Sequence, residues 1–523
     1  MMTASGVTLS SLRSAGKKLV RAAGKQVLLI AQGEEVFAIA NRCPHEGYPL
    51  SEGDIDSECR LTCNWHNWKF DLRTGAALVG RDPVRTYRAE LRGDEILLDL
   101  SDPARDALKT RALSGLNAAI ADNDFARIAR EAARLERAGY DASLAFAHAI
   151  VARSDRLEDG MTHAHAAGAD WLALAQRAPD EAARLTALLE PVGHLAEDTL
   201  GAGVFPYTDG VTEWDAKAFV AAVEREDEAA AVARVRGALA ADLPYETLRP
   251  AFARAALAHY ADFGHCAIYT FKSGQLIARL GDAVREPVLL ALTRMIVRAT
   301  REERIPEFRF YDKALAAWDG ESKAGVNAQD FIGQSIDGAL KRTLGSSGRT
   351  HRELFDALLG AAAYNLLHFD LAVQEATDNA IADNIGWLDF THALTFANAC
   401  RHLCADAPEL WPRALLQMAL FVGRNRKYVK DAGDGARWAV HDRDGFLKEE
   451  IPRLYDHGIP EPIVACHRVK VLIALEDELH AAPDAPWAEA MCAGVNRYLH
   501  IPMKRHHGLR TAAQAIDFIA KEG

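Results

Sequence analysis

The chain has no run of about 18 apolar residues, the length a membrane-crossing helix needs. Its first twenty residues, Met1 to Val20, lack the apolar stretch of a secretory leader. Cysteine is sparse, eight in 523 residues, and scattered without the spacing of a disulfide framework. These absences point to a cytoplasmic protein in a reducing compartment, with no membrane partner. There is no basic surplus either: the net charge is −12, which argues against nucleic acid as a ligand. No G-x-G-x-x-G follows a strand pattern and no P-loop occurs, so no nicotinamide, flavin or nucleotide site is expected.

What is there divides sharply. A chain this long should hold more than one domain, and 49% apolar residues suffice for real cores. Residues 1–100 carry 13 basic and 13 acidic side chains, so the acidic excess lies entirely in the remainder. The first hundred residues read as short strands. Gln26–Ala31 and Glu35–Ala40 flank a Gln32-Gly33-Glu34 turn, and Glu95–Leu100 reads as a closing strand. After Asp102-Pro103 the chain turns rich in Ala, Leu, Arg and Glu, with apolar residues at helical spacing. The expected fold is multidomain α and β: a small all-β domain over 1–103, then a large all-α domain of stacked helical hairpins over 104–523. A weak internal repeat runs through the second part, at about 125–192, 229–305, 336–422 and 440–523.

Within the first part, Cys43-Pro44-His45 is followed by Cys63-Asn64-Trp65-His66. Two thiolates and two imidazoles on two short hairpin tips suit a [2Fe–2S] cluster with cysteines on one iron and histidines on the other. The competing reading is a tetrahedral Cys2His2 zinc site; the aromatic residues around these ligands favour the cluster. The stretch Trp65-His66-Asn67-Trp68-Lys69-Phe70-Asp71 with Thr74-Gly75 resembles the second cluster loop of Rieske ferredoxins and Rieske oxygenases, and Asp82-Pro83-Val84 with Tyr87 is similar to their proline loop. The resemblance covers about residues 5–100 and implies Cys43, His45, Cys63 and His66 as ligands. Two positions depart from the pattern: Asn64 where proline is common and Asn67 where glycine is common. Respiratory members join the loops by a disulfide; here Tyr48 and Trp65 occupy those places, so the ferredoxin branch is the closer likeness.

The helical part holds most of the nineteen histidines. His163, His265 and His392 each stand near a helix start at equivalent places in the repeat, and His265, His392 and His467 have apolar residues along their own stripes. His148, His259, His368 and His467 form a second set, and Asp262 and Asp389 each precede a histidine by three residues. One reading makes these aspartates helix caps and the histidines core residues. The other gathers histidines and a carboxylate around non-haem iron, mono- or dinuclear, with positions open for O2. The helical pattern does not fit the β-rich catalytic domain of Rieske ring hydroxylases, and no Glu stands three residues before any histidine of this region, unlike ferritin-like di-iron enzymes. His506-His507-Gly508-Leu509-Arg510-Thr511-Ala512 resembles a motif of questin-oxidase-like proteins, a likeness that implies oxygen-dependent Baeyer–Villiger-type chemistry.

Other features read more plainly. Glu302 and Glu303 belong to a solvated helix end and are minor carboxylate candidates. Arg424-Asn425-Arg426-Lys427 is a basic surface turn in an acidic domain, with anion binding as its other reading. Cys400 and Cys404, one helical turn apart, pack and do not bind metal.

The sequence thus predicts a cytoplasmic Rieske oxidoreductase. It takes electrons from an external ferredoxin or reductase and passes them to a histidine-rich, O2-activating site that oxidises a small organic substrate. An oligomer is compatible with this reading. The rival is an electron carrier whose helical domain docks a partner enzyme; a third possibility uses the histidines as acid–base groups without metal.

Overall fold

The computed structural model describes residues 2–258, 262–301, 305–381, 384–503 and 508–521, and of Asp262 only the backbone. The chain forms two compact units, Met1–Arg111 and Ala112–Gly523.

Ten strands build the first unit: β1 (Met2–Thr8), β2 (Lys17–Ala22), β3 (Lys25–Gln32), β4 (Glu35–Ala40), β5 (Asp54–Ile55), β6 (Arg60–Thr62), β7 (Lys69–Asp71), β8 (Ala77–Val79), β9 (Arg88–Arg92) and β10 (Glu95–Asp99). They pair antiparallel as β1-β10-β9, β2-β3-β4 and β5-β6-β7-β8. The β3–β4 hairpin turns where Gln32 pairs with Glu35, and Gly33 adopts φ +60° there. β3 is apolar on both faces because both are covered. Val27 and Leu29 pack with Leu12, Ile96 and Leu98, whereas Leu28 and Ile30 pack with Leu61, Phe70, Cys43 and Cys63. The second of these cores thus carries both cysteines of the expected cluster. A short helix, Leu9–Ala15, and a single helical turn, Leu50–Glu52, interrupt the strands; the Thr8 hydroxyl caps the first by accepting from the Ser11 amide.

The second unit is helical. Its first segment contains Phe125–Arg137, Ser143–Arg153, His163–Gln176 and Glu181–Asp198. The next contains Glu228–Ala240, Tyr245–Ala256, His265–Leu280 and Arg285–Val297, and the third is led by Ile336–Gly345, His351–Leu367, Trp387–Asp406 and Trp411–Asn425. Arg443–Arg453, Pro462–Ala481, Ala488–His500 and Gly508–Ala520 follow. Apart from Gly508–Ala520, whose Leu509, Ile516, Phe518 and Ile519 are exposed, their apolar faces merge into one core that includes the fully buried Trp387 and Trp487. Close packing sets some residues: a Cβ at Gly168 would lie 2.4 Å from the Phe146 ring. No helix among the described residues is long and apolar enough to cross a membrane. All eight cysteines are free thiols.

Candidate functional site

The two cysteine–histidine loops are built alike. Cys43 N–H donates to Tyr48 O (2.8 Å) and Gly47 N–H to Cys43 O (2.8 Å); Cys63 N–H donates to Trp68 O (2.8 Å) and Asn67 N–H to Cys63 O (3.0 Å). Each closure needs a left-handed fifth residue, Gly47 at φ +80° and Asn67 at φ +59°. Asparagine tolerates that region better than other side chains, so the departure from glycine at position 67 leaves the loop intact. Asn64 Nδ2 donates to Glu52 O (2.8 Å) and ties the second loop to the segment after the first. Tyr48 and Trp65, at the places where respiratory members carry a disulfide, stack between the loops at 4.2 Å.

Cys43 and Cys63 are buried, and His45 and His66 reach the surface with Nδ1 atoms 3.1 Å apart. His45 stacks on Trp68 at 4.8 Å. Burial pushes the Cys43 thiol up to about 11, helped by its neighbour Cys63. A thiol so held keeps its proton unless a metal replaces it. On the opposite side, two imidazole nitrogens face a common point. The donor set fits a [2Fe–2S] cluster with one thiolate iron and one imidazole iron.

A second group lies in the helical unit. His163 opens its helix, His265 opens another, His392 is the sixth residue of Trp387–Asp406, and His467 is the sixth of Pro462–Ala481. His392 Nδ1 donates to Leu388 O (2.6 Å) and His467 Nδ1 to Ile463 O (2.7 Å), each the carbonyl one turn earlier. That fixes the tautomer and leaves both Nε2 atoms as lone-pair donors pointing inward. His467 Nε2 is 3.0 Å from His392 Nε2, which is 2.8 Å from His265 Nε2. His163 stands edge-on to His265 at 4.6 Å, and its buried Nε2 has no hydrogen-bond partner among the described residues. Donor atoms of His163, His392 and His467 lie within 4.8 Å of one another.

Lone pairs this close repel unless a positive centre lies among them. Nitrogens about 2.1 Å from one ion and at right angles to each other are about 3.0 Å apart. Burial drives His163, His392 and His467 well below the usual imidazole range, and the neighbouring Lys470 ammonium adds to this at each. Neutral imidazole is the ligand form. The group therefore fits a nitrogen-coordinated transition metal.

Charged residues that the sequence reading passed over surround the imidazoles. Lys470 follows His467 by three residues; its Nζ is buried without a partner, and burial lowers its pKa. Lys272 Nζ pairs with Asp170 Oδ1 at 2.6 Å, with side chains 7% and 1% exposed. Asp170 is seven residues after His163 and Lys272 seven after His265, so the pair joins those two helices below the imidazoles. A charged residue at i+3 or i+7 from a histidine, on an apolar stripe, was the available signal.

The other expected residues fall elsewhere. His148 Nε2 meets Asn117 Oδ1 at 2.9 Å. His368 sits against Tyr364 and 3.3 Å from Asp431. Both find local polar partners in place of the imidazole group. Asp389 serves as a helix cap, its Oδ2 accepting from the Gly386 amide at 2.9 Å, and burial raises its pKa. His259, Glu302, Glu303, His506, His507 and the side chain of Asp262 lie outside the described residues. Cys400 and Cys404 are buried in the core.

A family model for the Rieske [2Fe-2S] domain matches residues 7–88. The 3-phenylpropionate/cinnamic acid dioxygenase ferredoxin subunit of Escherichia coli (strain K12) is 35% identical over 78 residues, covering 14% of this chain and 74% of that protein. The same-named subunit of Shigella boydii serotype 4 (strain Sb227) matches with the same identity and coverage. Among solved structures, the ferredoxin of carbazole 1,9a-dioxygenase from Nocardioides aromaticivorans IC177 is 31% identical, covering 19% of this chain and 99% of that one, with a TM-score of 0.18. Pseudomonas putida CBB5 NdmA with caffeine is 28% identical over 18% of this chain and 29% of that one, with a TM-score of 0.16.

Proposed function

The chain belongs to the Rieske [2Fe–2S] family through residues 7–88, and from that premise we propose that it is an O2-dependent oxidoreductase. In this reading, single electrons collected by the N-terminal domain serve a non-haem iron centre held by His163, His265, His392 and His467. When bound, the cluster supplies one-electron transfer, and iron among the four imidazoles supplies the binding and activation of O2. Cys43 and Cys63 anchor the cluster to the core, while His45 and His66 carry the electron path to the surface. Trp65, 55% exposed beside His66, offers an aromatic contact to the electron donor, an external ferredoxin or reductase. The likeness to a dioxygenase ferredoxin subunit supports the oxygenase setting.

In the helical domain, Leu388 O and Ile463 O hold His392 and His467 in the ligand tautomer. Burial of His265, His392 and His467 keeps water from their imidazoles. The substrate is a small, largely apolar organic molecule held between helices. The six cysteines outside the cluster loops form no disulfide, which suits a cytoplasmic location.

The observation that carries this reading is the 3.0 Å approach of the His392 and His467 Nε2 atoms, each with its Nδ1 already committed to its own helix. Iron content tests it. The expected value exceeds the roughly two irons of the cluster and falls back to about two in a His265→Ala, His392→Ala double variant. About two irons in the unmodified protein, with only a Rieske-type EPR signal, sinks the second centre and leaves the electron carrier with a docking domain.

A further inference from the structure

A cavity of about 330 Å³ opens at the end of the Trp411–Asn425 helix, lined among others by Arg309, Phe310, Ile336, Arg424, Arg426 and Lys427. Its construction depends on Gly423. A Cβ there would lie 2.5 Å from Ile336 Cα and 2.6 Å from Ile336 N. Only glycine lets the helix press against the first turn of Ile336–Gly345, so that Arg424 and this helix N-terminus line one cavity. Four cationic side chains line it against two carboxylates, Glu307 and Asp337, within a domain that is acidic as a whole. Arg309 and Arg426 have no carboxylate partner among the described residues. The helix N-terminus adds further positive potential.

Arg424 also connects this cavity to the imidazole group. Its guanidinium lies 4.7 Å above the Phe263 ring, and that ring stacks on His392 at 5.4 Å and 27°. Phe263 has φ +54° and ψ +25°, a conformation that an aromatic residue keeps only when its surroundings impose it. Gly264 follows at φ +72°, where a Cβ would come within 2.4 Å of the Phe396 ring. Two successive left-handed residues thus bring Phe263 over His392 and start the next helix at His265. Cavity, Arg424, Phe263 and His392 stand in single file.

We propose that this cavity recognises the carboxylate of an organic acid, the anionic end of a substrate whose remainder lies toward Phe263 and the imidazoles. The proposal rests on the metal-centre reading for the word substrate; the cavity's preference for a carboxylate stands without it. The volume exceeds the needs of a bare inorganic anion, and Phe310 and Ile336 offer apolar wall to a carbon skeleton. Arg424, whose Nε stands 3.8 Å from Glu307 Oε2, and the uncompensated charge at Arg309 and Arg426 suit a planar carboxylate.

Calorimetric titration of the full chain with benzoate, benzamide and inorganic phosphate tests it. Benzoate should bind at least about tenfold more tightly than either of the others, and Arg424→Gln and Arg426→Gln should each weaken it about tenfold or more, as loss of a charged hydrogen bond does. Equal binding of benzoate and benzamide, indifference to both substitutions, or phosphate binding as tight as benzoate overturns the proposal. With the second centre loaded with Co2+, benzoate should shift its visible absorption in the unmodified chain and not in Arg424→Gln. No shift in a chain that holds Co2+ overturns the link to the imidazoles. A chain that holds no Co2+ counts against the metal reading alone, and benzoate affinity still decides the cavity.

Discussion

The two histidine-bearing sites of this molecule are opposites in construction. The N-terminal pair of loops places all four donors within 24 residues, on hairpin tips, with the imidazoles at the surface. The helical group draws its donors from positions 163 to 467, on four helices, with His265, His392 and His467 each under 10% exposed. A site that exchanges electrons with a partner gains from surface imidazoles. A site that handles reactive oxygen gains from burial, which keeps imidazole neutral and excludes water. The loops hold their geometry through local backbone hydrogen bonds; the helical group holds it through the packing of whole helices.

That contrast makes the sites separable by mutation. The largest effect is expected from Cys63→Ser, which should remove about two irons per chain and the visible colour while leaving far-UV helical dichroism unchanged. His392→Ala should do the reverse, losing the non-cluster iron with the Rieske-type EPR signal intact. His148→Ala and His368→Ala should retain all the iron, since each has its own local partner.

The next effects concern stability. Lys272→Met leaves Asp170 buried and unpaired, so the helical unit should lose about 3–5 kcal/mol in urea unfolding followed by far-UV dichroism. A double Lys272→Met, Asp170→Leu variant should recover most of that loss. In the first unit, Asn67→Val forces a β-branched residue to φ +59° and should cost about 1–2 kcal/mol, whereas Asn67→Gly should be nearly neutral. A destabilised Asn67→Gly would break the account of why this loop tolerates asparagine.

The smallest effects are in pH dependence, and they run in opposite directions. Burial raises the Asp198 carboxyl from 3.8 to about 6. The adjacent His194, 3.7 Å away, is pushed by burial down to about 4 and stays neutral. Because the folded state holds that proton longer than the unfolded one, Asp198 should cost stability as pH rises from about 4 to 6. Asp198→Asn should flatten that slope. Asp102, by contrast, is held down to about 2 by hydrogen bonds from Lys25 and Arg85. Its contribution should persist above 3.8 and fade as pH falls toward 2, seen as earlier acid loss of the cluster's visible dichroism in unmodified protein than its other carboxylates explain, and as a shallower loss in Asp102→Asn.

The cluster loops were legible because their chemistry is local. The four candidate ligands, the turn at Gly33 and the closing strand can all be read from spacing. Asn67 stood out as a departure, and only its dihedral angle explains why it is harmless. In the helical part, the repeated helix starts single out His163, His265 and His392, and apolar stripes mark His265, His392 and His467. His467 falls in the second set because its unit of the repeat is the loosest, although it stands as far into its helix as His392 does. Asp389 looked like a ligand because capping and coordination both place a carboxylate near a histidine; the Gly386 amide decides for the cap. Lys470 and the Asp170–Lys272 pair went unnoticed, since a charge inside an apolar stripe reads as noise until the facing helix supplies its surroundings.

The sequence by itself determined the Rieske domain, the two cysteine–histidine loops expected to hold its cluster and the switch from strand to helix near residue 103, because short-range spacing and periodicity suffice for these. Only the tertiary structure decided which of the many histidines meet. Convergence across 304 residues, from His163 to His467, is set by how four helices pack, and helix packing depends on side-chain shapes along whole faces that no local pattern encodes.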